Sequence, residues 1–178
     1  MFRDWLYKVR LALAGQGGPK AQELRAYMDE RKLTLEERRR VCVVDGAITA
    51  TLHLHYHFTR RQATEWASNY LLTSSVSYGG IMREPTLLAL QTAGEDRDLL
   101  MPVFINFLTT LGMPLTHTLI DRAADMVVVA IQTHERLKLE DEARQNANRT
   151  GDTAQAEERK DPGSDQYVQA PGGNASGD

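Results

Sequence analysis

From Ile48 to Phe58 apolar and polar residues alternate without a break: Ile48, Ala50, Leu52, Leu54, Tyr56 and Phe58 against Thr49, Thr51, His53, His55 and His57. Read with a period of two, this is a strand with a wet face of threonines and histidines. Read with a period of 3.6, it brings only His53 and His57 together, four residues apart. Two architectures compete over residues 41–58. In one, Asp45-Gly46 is a hairpin turn that pairs Val43 with Ile48 and Val41 with Ala50, supported by the β-branched content. In the other, a helix runs from Leu35 to Phe58, with Val43, Ala47, Ala50, Leu54 and Phe58 as its main stripe and Val41, Val44 and Ile48 as a second. A helix of that kind is buried on most sides, and Gly46 within it costs only about 1 kcal/mol relative to alanine. An isolated hairpin is marginal, with Ser75–Tyr78 as the sole weak candidate for a third strand. The helix is therefore the reading adopted.

The rest of the chain favours helices. Phe2, Trp5, Leu6, Val9 and Leu13 fall on one stripe ended by Gly15-Gln16-Gly17-Gly18-Pro19, a short amphipathic helix that serves as a lid on the core or as a docking surface for a partner. Ala21, Leu24, Tyr27 and Met28 mark a second helix. Thr34-Leu35-Glu36-Glu37 and Thr59-Arg60-Arg61-Gln62 both match the capping box, so helices are expected from Leu35 and through Ala63, Trp66, Ala67, Tyr70 and Leu71. Thr73–Gly80 reads as a loop, and Pro85 opens a short helix. Leu99–Leu111 forms another, with Pro102 in its first turn and Gly112 as its C-terminal cap. The last helix begins at Pro114 or Thr116 and buries a wide face of Leu119, Ile120, Ala123, Ala124, Val127, Val128 and Ile131. The charged run Glu135–Arg144 projects from the body. From Asn146 onward, small and polar residues predict a disordered acidic tail. The expected architecture is thus a mainly α, compact helical bundle over residues 1–145, with a tail over 146–178.

Composition narrows the function. With 42% hydrophobic residues in 178, there is enough apolar material for one real core. The absence of a long apolar run or a leader-like start predicts a soluble, intracellular protein without a membrane span. A lone cysteine, Cys42, set among valines, reads as a buried, inert thiol. The net charge of −3 hides an asymmetry: residues 1–66 carry 12 basic against 8 acidic side chains, and residues 67–145 carry 6 against 10. Such opposed halves are either solvated, hold the two halves of one chain together, or let the acidic face of one copy meet the basic face of another, which favours head-to-tail assembly.

Candidate chemistry is sparse. His53 and His57 on one helical face are half of a metal site, needing a third donor from Glu65, His117 or His134, and the Glu of a His-Glu-x-x-His hydrolase is missing. On a strand, His53, His55 and His57 would instead suit phosphates or bases. Arg38, Arg39, Arg40, Arg60 and Arg61 are the basic clusters, whose planar guanidinium groups fit phosphate or carboxylate. No phosphate-cradling glycine loop or serine-hydrolase elbow occurs, and the carboxylate pair Asp121/Asp125 reads as solvated or salt-bridged.

The functional expectation is a non-enzymatic, self-assembling structural or scaffolding subunit without a cofactor, for which a virus or phage particle is one setting. It would act through helical surfaces and charge pairing. The alternatives are a nucleic-acid-binding regulator using the arginines and a metal-dependent enzyme using the histidine pair.

Overall fold

The computed structural model describes residues 18–78, 82–92 and 97–158. Among them are six helices, α1 (Pro19–Glu30), α2 (Leu35–His55), α3 (Arg60–Thr73), α4 (Thr86–Thr92), α5 (Arg97–Thr110) and α6 (His117–Glu158), and one antiparallel hairpin of β1 (Ser75–Tyr78) and β2 (Met82–Pro85). The fold is mainly α. The amphipathic stripe expected over residues 2–14 lies outside the described residues.

Residues 41–58 form no hairpin. Both capping boxes are complete: the Thr34 hydroxyl accepts from the Glu37 amide at the start of α2, and Thr59 does the same with Gln62 at the start of α3. Once nucleated at Thr34, α2 is held by burial of Val41, Val43, Val44, Ala47, Ile48, Ala50 and Leu52. An amphipathic strand would have exposed half of these positions. The helix stops at His55, short of Phe58, because Tyr56 leaves helical geometry and His57 takes a left-handed φ of 58°.

Around α2 the chain buries a continuous core. Packing of α3 against α2 and of α1 against α3 brings in Leu24, Met28, Ala63, Ala67 and Leu71, while α5 adds Val103, Phe104, Phe107 and Leu108. Trp66 stacks on Tyr70 with ring centroids 5.6 Å apart and planes 4° from parallel, and Phe107 meets both edge-on at 5.8 Å. The Tyr70 hydroxyl donates to the Val103 carbonyl at 3.2 Å and accepts from the Asn106 amide at 2.8 Å, so its polar end is satisfied inside the core. Burial pushes the Tyr70 pKa above the ordinary tyrosine value, which keeps it a hydrogen-bond donor.

The segment expected to be a loop over 73–80 contains β1, pairing Ser75 with Pro85, Val76 with Glu84 and Ser77 with Arg83. The pairing is legible only in three dimensions. Val76 is buried in the core, the Ser74 and Thr86 hydroxyls join the two ends at 2.6 Å, and Asn106 reaches the Ser75 carbonyl. Pro102 lies in the second turn of α5, not its first, because that helix begins two residues earlier than expected. Cys42 is half-buried instead of fully enclosed.

Two helices end in the same Schellman geometry with different residues at the left-handed position. After α5, Gly112 has φ 83°, its amide bonds to the Thr109 carbonyl, and the Met113 amide bonds to Leu108. After α1, the equivalent bonds run from Lys32 to Asp29 and from Leu33 to Met28, but Lys32 pays for φ 52° with a Cβ in the way. Lys32→Gly is expected to raise stability by about 0.5–1 kcal/mol, read as a higher urea midpoint.

The capping box of α2 also carries a pH dependence. The Thr34 backbone amide, and then its hydroxyl, hold the Glu37 carboxyl below the ordinary glutamate value, at 2.7 and 2.8 Å respectively. A group depressed in the folded state contributes fully above its unfolded value and loses that contribution as pH falls through the folded one. The urea midpoint of Glu37→Gln should therefore fall less than that of the parent chain between neutral and acidic pH.

The chain divides by contacts into two units after Leu137. The helical body holds everything above. In the second unit, helix continues through Glu158, overlapping the stretch from residue 146 expected to be tail, and residues 159–178 lie outside the described residues.

Candidate assembly surface

The sequence-predicted arginines do not converge. Arg38 is drawn inward, donating to the Leu33 carbonyl at 3.0 Å and the Met28 carbonyl at 3.2 Å while pairing with Asp29 at 2.6 Å. It thereby braces the turn between α1 and α2. Arg39 is buried. Arg40 donates to the Gln91 carbonyl at 2.7 Å and to Glu36 at 3.4 Å, tying α2 to the end of α4. These acids belong to the same half of the chain as the arginines, not to its acidic half. Arg60 and Arg61 are exposed in the first turn of α3, and about 22 Å of helix separates Arg40 from the end of α2 at His55.

The three histidines also part. His53 holds its Nδ1 2.7 Å from the Phe58 carbonyl, a contact that requires a proton on that nitrogen and latches the α2–α3 turn. His55 lines an opening of about 310 Å³ with Ala47, Thr51, Leu108, Arg122, Asp125, Met126 and Val129. His57, beyond the helix end, lines another with Phe58 and Trp66. The spacing of four therefore does not place His53 and His57 on one helical face. Of the third donors, Glu65 accepts from the Lys20 and Ala21 amides at the start of α1, His134 is buried, and His117 is exposed at the start of α6. Among the described residues no group of three or more His, Cys, Asp or Glu side chains is placed to hold a metal ion.

What the sequence overestimated is the covered width of α6. Leu119, Ala123, Val127, Ala130 and His134 are buried, forming one stripe at steps of three and four. Ile120, Ala124, Val128 and Ile131, counted with them from the periodicity, form a separate stripe rotated by about 90°, at 100° per residue. Along this second stripe Ile120 is 42% and Val128 43% exposed, with Ala124 and Ile131 half-buried. Leu115, just before the helix, is 75% exposed. Asp121 and Asp125 stand exposed beside the stripe. An apolar strip with an acidic margin can exclude water against another apolar surface and select a basic neighbour. Periodicity could reveal the residues but not the edge of their burial, which depends on where neighbouring helices stop.

Among the described residues no helix is long and apolar enough to cross a membrane. No family profile matches this chain, and no curated protein and no solved structure matches it either.

Proposed function

We propose that this chain is a non-enzymatic structural subunit that assembles with copies of itself through the outer stripe of α6. The observation that carries the reading is that α6 has more apolar face than one body covers: Ile120 and Val128 remain over 40% exposed beside a fully buried stripe. The occupant is a second copy, whose exposed Arg60 and Arg61 are complementary to Asp121 and Asp125. Burial of the stripe supplies the favourable free energy, at roughly 25 cal/mol per Å² of apolar surface, and the charges set orientation. A virion or phage scaffold is one form such a subunit takes. The nucleic-acid reading is weakened by the internal partners of Arg38 and Arg40, which leave Arg60 and Arg61 as its main support.

Size exclusion coupled to light scattering tests this directly. The parent chain should elute as an oligomer that loosens as salt rises, and Ile120→Asp with Val128→Asp should run as a monomer while keeping its helical circular dichroism. A parent chain that is monomeric at every salt and protein concentration would overturn the proposal.

A further inference from the structure

A second unclaimed surface lies along α3, beside the start of α1. Lys20, His57, Phe58, Gln62, Glu65, Trp66 and Asn69 line a groove of about 560 Å³, with Gln62, Trp66 and Asn69 following the outer side of α3 and the half-buried rings of Phe58 and Trp66 as its apolar wall. Gly18 is buried so closely against the Glu65 carboxylate that a side chain at that position would collide with it, and Glu65 in turn accepts from the Lys20 and Ala21 amides. Gly18 is therefore fixed beside the groove.

We propose that the amphipathic segment 2–13 of the same chain seats in this groove, laying Phe2, Trp5, Leu6, Val9 and Leu13 against Phe58 and Trp66. Three observations favour this occupant. The stripe has helical spacing, so its apolar side chains fall on one face. As a helix, twelve residues span about 18 Å, enough to cover the roughly 10 Å from Gln62 to Asn69. Gly15 and Gly17 permit a sharp reversal ahead of the fixed Gly18, and a short tether raises the local concentration of the segment to the millimolar range, so weak contacts suffice. The groove also explains why Trp66 is the one member of the Trp66–Tyr70–Phe107 cluster left half-buried.

The full chain carries two tryptophans, so Trp66→Phe makes Trp5 the sole reporter and keeps an aromatic ring in the wall. Trp5 emission should be blue-shifted and protected from acrylamide, and Leu6→Asp should return it to the solvent position with severalfold stronger quenching. In a Cys42→Ser background, the pair Val9→Cys and Asn69→Cys should be joined by a short bismaleimide within one chain, read as a monomer on a denaturing gel whose intact mass has risen by a single reagent with both thiols consumed; a monomer that gains two reagents or keeps a free thiol overturns the proposal. Solvent-like Trp5 emission overturns the proposal, and so does cross-linking that yields only covalent dimers, which would make a second copy the occupant. Both measurements are repeated with Ile120→Asp and Val128→Asp, so loss of assembly through α6 leaves this test standing.

Discussion

Phe107→Ala is expected to lower folding free energy by about 3–5 kcal/mol, measured as the shift in a two-state urea transition. The side chain is fully buried, and its ring is the edge-on partner of both Trp66 and Tyr70. Part of the loss is transfer free energy and part is the cavity left behind. Aromatic pairing adds about 0.5–1.5 kcal/mol per pair beyond area, so the upper part of that range is the better expectation. The cavity has little means of collapsing. Tyr70 is pinned through its hydroxyl to Val103 and Asn106, and Asn106 is also bonded to the hairpin at Ser75. A loss below about 1 kcal/mol would match a surface site rather than a core one and would contradict the packing of α3 against α5.

The second large effect is a contrast between neighbours. Val127→Asp should cost more than about 4 kcal/mol, because it places an unpaired carboxylate in the fully buried stripe of α6. Val128→Asp, one residue on, should change the stability of the isolated body by no more than about 0.5 kcal/mol, since that side chain is 43% exposed. Its consequence should appear in assembly, as a shift of the light-scattering mass toward the monomer. Urea titration at a protein concentration low enough to dissociate the parent chain separates the two. Equal destabilisation by both substitutions would show that the second stripe is covered within one chain, and the proposed interface would lose its basis.

These neighbours also show what the linear code contains. Val127 and Val128 are chemically identical and both belong to the apolar periodicity of α6, so nothing local distinguishes them. Only the position of α6 against the rest of the body buries one and leaves the other out. The histidines make the same point differently: their spacing suggested a ligand pair, but the helix ends at His55 and the left-handed turn at His57 sends them apart. For Arg38 and Arg40, sequence registered a cluster of charge, whereas the fold gives them carbonyls on other elements.

By itself, the sequence determined the helical class, the starts of α2 and α3, and the glycine cap after α5, because capping boxes, apolar period and glycine geometry act within a few residues of chain. Tertiary structure alone decided that residues 75–78 pair with 82–85, how far α2 extends, and which edge of α6 stays in water. Strand pairing and burial are settled by contacts between segments distant in sequence. Their free energies come from surface removed from water in three dimensions, which no local window of residues records.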